Sequence, residues 1–153
     1  KMAKMLLVKE DDNTVLISIY YQAKKNKFGT IKYKILTEEE GKKAIEKKDA
    51  SVDVLNTKWA VPTWKITTNV MRSSTYYNPA DGTQRLDPTK YRDNIFRTCL
   101  REWDVTDETG TSVPINNDTI GQLPNTIAEE LLKKYDQSTE TDEDDEKKLL
   151  KQP

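Results

Sequence analysis

Histidine is missing from this chain. With it goes the side chain most often used as general base, metal ligand and middle member of a catalytic triad. Cysteine occurs once, at Cys99. That excludes an internal disulfide framework and, without histidine, the usual zinc sites and any Cys-His nucleophile. A lone cysteine also fits a reducing compartment. Glycine is scarce, with five residues and none in a loop that would cradle phosphate. No apolar run approaches the roughly 18 residues of a membrane span. The opening KMAKMLLVKEDD has neither a signal-peptide core nor a small-residue cleavage site, so synthesis in the cytosol is expected. Lys1 ahead of Met2 suggests that the native start is not at Lys1.

What the chain does have is charge. Charged residues make up 33% of the 153 positions and hydrophobic ones 35%, against usual shares of about 25% and 45–50%. One domain of this length buries roughly 68–70% of its unfolded surface, so a core is possible but lean. A lean core fits solvated extensions, or burial completed against a partner. The charge is also unevenly placed. Asp136 to Glu146 contains seven acids and no base, and Lys147, Lys148 and Lys151 follow. Residues 1–135 therefore hold 22 bases and 19 acids, a net of +3. That is mild for a dedicated nucleic-acid binder, which concentrates base on one face.

Periodicity divides the chain into a β-rich part (1–59), a helical part (60–135) in the same domain, and an acidic flexible tail (136–153). Thr14–Tyr21 and Phe28–Leu36 alternate as strands, joined by QAKKNK as a hairpin loop whose lysines discourage stray pairing. Thr37 and Glu40 have capping-box spacing, starting a helix to about Lys48. Ser51–Trp59 reads as a third strand. Pro62 or Thr63 opens a helix carrying Trp64, Ile66, Val70 and Met71, and Asn78–Gly82 is a loop with two turn signals. Asp87-Pro88 is a strong helix start. The stripe Tyr91, Ile95, Phe96, Cys99, Leu100, Trp103 then predicts a helix from Asp87 to Trp103. Turn chemistry fills Asp104–Gly110, and Val113-Pro114-Ile115 is extended. Asn117 or Asp118 caps a short turn with Ile120 and Leu123. Pro124-Asn125 opens a last helix with Ile127, Ala128, Leu131, Leu132 and Tyr135. The two striped helices are expected to pack as an antiparallel pair with Trp103 near the hinge. The fold class is α+β: a small N-terminal antiparallel sheet, then a helical part with that pair, then the tail.

Reactive chemistry is thin. Asp104, Asp107 and Glu108 lack the alternate-residue spacing of an EF-hand loop and read as turn and cap residues. Ser73, Ser74 and the acids allow a Ser-Lys or carboxylate pair only as any charged chain does. Cys99 lies on an apolar stripe and reads as core. Lys24, Lys25 and Lys27 read as a solvated hairpin tip before a phosphate contact. No catalytic residue, metal ligand or cofactor is expected.

Three stretches carry a resemblance: TKWAVPTW (57–64), DPTKYRDNIFRTCLREWDVTDETGTSVPIN (87–116) and IGQLPNTIAEELLKKY (120–135). A helix closing on Leu-x-x-Trp-Asp, an Asp-Glu-x-Gly turn, then Val-Pro and Leu-Pro resembles small late proteins of tailed bacteriophages, called tail assembly proteins, tail assembly chaperones or minor virion components. The resemblance implies a non-enzymatic structural or assembly protein of the tail, baseplate or neck. It would be made in the host cytoplasm, reside in the virion, contact other phage structural proteins, and form a homo- or hetero-oligomer. The alternatives are a chaperone absent from the mature virion, or a nucleic-acid-associated protein whose acidic tail competes for its basic body. Trp59, Trp64, Tyr76, Tyr77 and Trp103 are the expected partner interface, since buried aromatic anchors dominate such contacts.

Overall fold

The structure, a computed structural model, describes residues 7–139. After a 3-10 turn at Glu10–Asp12 the chain enters β1 (Thr14–Lys25), which pairs antiparallel with β2 (Ile31–Leu36) on one side and β3 (Val52–Ala60) on the other. A fourth strand, β6 (Leu100–Trp103), joins β3, so the sheet order is β2-β1-β3-β6. The remaining elements are α1 (Glu38–Glu46), α2 (Trp64–Ser73), the ribbon β4 (Thr75–Asn78) with β5 (Thr83–Leu86), α3 (Pro88–Cys99), α4 (Asn117–Gly121) and α5 (Asn125–Thr139). The fold is mixed α+β, with an antiparallel sheet of four strands and most of the helical residues after its third strand in sequence, β3.

Strand alternation sends Ile17 and Ile19 of β1, and Leu55 and Trp59 of β3, to one face. Ile66 and Val70 of α2, Ile95, Phe96 and Cys99 of α3, and Ile127, Leu131 and Tyr135 of α5 close over that face in one core. The other face carries Leu16, Ser18, Tyr20 and Gln22. There α1 packs on Tyr20, and its Gly41 leaves so little room that an added Cβ would stand 2.2 Å from the Tyr20 Cγ. The remainder of this face is open, and Leu16 is 80% exposed.

Local capping follows the sequence closely. Thr37 and Thr63 accept the backbone N–H groups of Glu40 and Ile66, and the Asp87 carboxylate accepts those of Thr89 and Lys90 ahead of α3. The short α4 is capped by Asn116, not Asn117 or Asp118, in a reciprocal box with Thr119. Asn78–Gly82 is a turn as expected, but it joins two short strands.

Four other expectations change. QAKK is strand, not loop, because β2 supplies partners out to Lys25; the turn sits farther on, where the Asn26 side chain accepts the N–H groups of Phe28 and Thr30. The helix from Asp87 ends at Cys99, not Trp103. The free edge of β3 captures Leu100–Trp103, with Trp103 opposite Thr57, and Asp104 fastens the junction by accepting from the backbone and side-chain N–H groups of Asn56. Residue 59 is consequently no boundary, since a strand of the expected helical part completes the sheet. Asp136–Thr139 belong to α5, where Ser138 and Thr139 hydroxyls donate to the Tyr135 carbonyl; the rest of the expected acidic tail, 140–153, lies outside the described residues.

α3 and α5 are neighbours and run in opposite senses: Tyr91 lies beside Leu132 and Tyr135, and Phe96 beside Ala128. Arg92 pairs with Glu129 at 2.6 Å between them. Trp103 is not at their hinge; it is half-buried on the edge strand.

Candidate functional site

Sequence reasoning nominated five aromatic residues, and the fold sends them to different places. Trp59 is a correction: it is 0% exposed and belongs to the core. Its indole stacks on Tyr135 at 4.8 Å and meets Phe96 edge-on at 4.9 Å, and its N–H donates to Thr57 Oγ1 at 2.7 Å. Trp103 is half-buried, and its indole N–H is held by the Val113 carbonyl at 2.7 Å. Trp64, by contrast, is 85% exposed. It stands on the first residue of α2, where the helix buries Ile66 and Val70. At 100° per residue, positions 64 and 71 fall roughly opposite that buried pair, so Trp64 and the exposed Met71 form an outer apolar stripe.

The ribbon that follows α2 carries further exposed aromatic side chains. Tyr76 faces Arg85 and Tyr77 faces Gln84 across it, so the two tyrosines lie on opposite sides, and both are exposed. Leu86, at the ribbon's far end, is exposed as well. The turn is stapled by Asp81, which accepts from Thr83 and pairs with Arg85. A two-stranded ribbon is marginal alone in water, and this one gains cover where Asp87 N–H donates to the buried Ser74 carbonyl.

A second concave surface lies on the open face of the sheet and was not foreseen. Leu16, Lys58, Glu102 and Trp103, with Val113 and Ile115 from the following loop, wall a groove of about 460 Å³. Its polar groups are already engaged. Ser18 Oγ donates to Asn56 Oδ1 (2.6 Å), Asn56 Nδ2 donates to Asp104 Oδ2 (2.8 Å), and Lys58 pairs with Glu102 at 3.5 Å. The alternation of Leu16 against Ile17 was the available signal, but the edge strand that builds the groove was hidden inside an apparent helix.

Neither surface brings together a nucleophile and a base. No cluster of three metal-ligating side chains occurs among the described residues, and no described helix is long and apolar enough to cross a membrane. Ser73 and Ser74 donate to helix carbonyls. Asp107 closes its own turn through Thr109 and Thr111. Cys99 is buried, and burial pushes its thiol up, away from the reactive thiolate.

Burial likewise pushes the Tyr135 phenol well up, and its hydroxyl donates to the Ala60 carbonyl at 2.8 Å. Both groups bind their protons more tightly folded than unfolded, so neither alters stability at low pH. It falls as pH rises through the unfolded-state values of about 8.5 for the thiol and 10 for the phenol. Melting temperature followed from pH 7 to 10.5 is expected to decline, and Tyr135→Phe should flatten the part above pH 10. An unchanged decline in that variant would assign it to other groups.

Comparison with family models, with curated proteins and with solved structures finds no match for this chain.

Proposed function

We propose that the protein is a non-enzymatic structural or assembly protein acting through protein–protein contacts, and that its assembly is the tail, baseplate or neck of a tailed-bacteriophage virion. The observation that carries the first part is Trp64. A tryptophan left 85% exposed at the start of a helix, on one stripe with Met71, leaves a large apolar area in water. Tryptophan and tyrosine in that setting are the residues that anchor partners. The ribbon adds Tyr76 and Tyr77. The engaged state of the polar side chains supports binding over catalysis. The phage setting rests on the resemblance of 57–64, 87–116 and 120–135.

The protein would then be made in the host cytoplasm and remain in the particle, in contact with other phage structural proteins. Mass spectrometry of purified virions tests this, with a stoichiometric copy number expected. Absence from virions, together with a complex with the tape-measure protein during infection, would instead favour a tail assembly chaperone. Absence from both would overturn the reading.

Trp64→Ala separates interface from core. It should change unfolding free energy by no more than about 0.5 kcal/mol, as exposed substitutions do, while assembly or partner capture falls by at least tenfold, the loss expected of a truncated anchor worth 2 kcal/mol or more. A large drop in stability would remove Trp64 from the interface.

A further inference from the structure

The β1–β2 hairpin runs past the rest of the sheet. β1 pairs with β3 only as far as Gln22, whereas its pairing with β2 continues to Lys25. Residues 24–32 therefore project as an arm, beyond the Ala23 N–H held by the Ser51 carbonyl and Tyr33 packed against the core. From Gln22 to Leu36 the sequence has five lysines (24, 25, 27, 32 and 34) and no acid. Lys24 and Lys32 stand directly opposite each other across the ribbon, an arrangement that costs stability. None of the five forms an ion pair among the described residues. Asp49 lies near Lys24, but its carboxylate is held by the Ser51 N–H and hydroxyl. At the tip, Phe28 is 79% exposed beneath the Lys27 ammonium, 5.1 Å from its ring centroid. The Asn26 side chain fixes this turn, so binding there need not first order it.

The complementary charge leaves the molecule at the opposite end. α5 passes Tyr21 and Tyr33 with Ile127 and reaches the Ala60 carbonyl with Tyr135, at the end of the sheet where Thr14 pairs with Ala60. It runs on to Thr139, and six acids follow between Glu140 and Glu146. From Thr14 to Lys25 along β1 is about 36 Å at 3.3 Å per residue, and seven residues of chain span at most about 25 Å. The acids of one chain thus fall short of Lys27 and Phe28 at its own arm tip, while those of a second copy meet no such limit.

We infer that the basic arm is a docking site for the acidic segment 140–146 of another copy of this chain, linking copies head to tail. The overall charge of −1 gives little attraction to an outside polyanion, which would also compete with the chain's own acids. A contact of unlike ends does not close on itself and propagates unless the rotation forms a ring. This inference concerns a surface separate from the Trp64 stripe and stands independently of which particle the protein serves.

Sedimentation equilibrium of the full chain tests it. Mass should rise above the monomer with concentration at about 0.05 M salt, and association should weaken on the order of tenfold by 0.3 M as screening shortens. Lys24→Glu with Lys27→Glu cuts the net charge of residues 22–36 from +5 to +1 while turning the Lys24–Lys32 repulsion into an attraction, so the hairpin keeps its fold. Truncation after Thr139 removes the acids. Each variant alone should be monomeric, and an equimolar mixture should form 1:1 complexes that grow no further, since one supplies only the arm and the other only the acids. A wild-type chain that stays monomeric, a charge-reversed variant that still self-associates, or a mixture that stays monomeric would each overturn the inference. So would a truncated chain that binds DNA or anionic vesicles while the full chain shows no self-association.

Discussion

Trp59→Ala should be the most damaging single truncation on the sheet, at about 3–5 kcal/mol, the usual range for removing a buried large aromatic. The side chain is 0% exposed and sits where all three layers of the core meet: β3 supplies it, Phe96 of α3 meets its edge and Tyr135 of α5 stacks on its face. Removing the indole opens a cavity between two helices that do not otherwise interlock deeply. It also takes the hydrogen-bond donor from Thr57 Oγ1, although that hydroxyl keeps its own bond to the Ile17 carbonyl at 2.7 Å. Since domains of this size hold about 5–15 kcal/mol in total, urea unfolding of the variant should show its midpoint reduced by about a fifth or more. A midpoint within error of the parent would mean that the two helices collapse onto the vacancy, and Trp59 is then not the keystone of the core.

Trp103→Ala should cost less. Trp103 is not at a hinge between the two helices but sits half-buried on an edge strand with its N–H on the Val113 carbonyl. Truncation there removes one hydrogen bond and part of a side-chain burial.

Signals written locally in the sequence were legible. The caps at Thr37, Thr63 and Asp87, the alternation of β1 and β2, and the inward stripe of α5 depend only on neighbours within a few residues. What was not legible depends on distant partners. Leu100 to Trp103 continue a helical stripe by spacing, yet the edge of β3 offers backbone hydrogen bonds and a partner for Glu102 in Lys58, and tertiary pairing overrides local preference. The extension of β1 through Lys25 has the same cause.

Of the residues expected at an interface, Trp64 is exposed and Trp59 is buried, though they stand five residues apart. The difference was partly available. Ile66 and Val70 already define the inner side of α2, and Trp64 lies well away from it. Trp59 follows Leu55 and Thr57 at strand period, on the face opposite Lys58. Reading each tryptophan within its own element's period, instead of as a member of an aromatic set, separates core from surface.

Gly41→Ala is the second large effect, and here two contributions oppose each other. Alanine in place of a helical glycine normally stabilises by about 1 kcal/mol. At this position, however, the new Cβ would lie 2.2 Å from Tyr20 Cγ and 2.4 Å from both its Cβ and Cδ1. Those atoms are the root of the side chain, tied to a strand paired on both sides at Tyr20, so the ring cannot simply swing away. Either α1 lifts off the sheet or Tyr20 leaves its rotamer, and overpacking of this kind costs roughly 1–3 kcal/mol and occasionally more. The steric cost should win, giving a net loss of up to about 2 kcal/mol, with faster hydrogen exchange confined to α1 and its contacts on β1. Tyr20→Ala tests the cause: in that background Gly41→Ala should become stabilising, because the clash is gone and the helix preference remains. If alanine at 41 destabilises equally with and without the Tyr20 ring, the close approach of α1 to the sheet does not set the requirement for glycine.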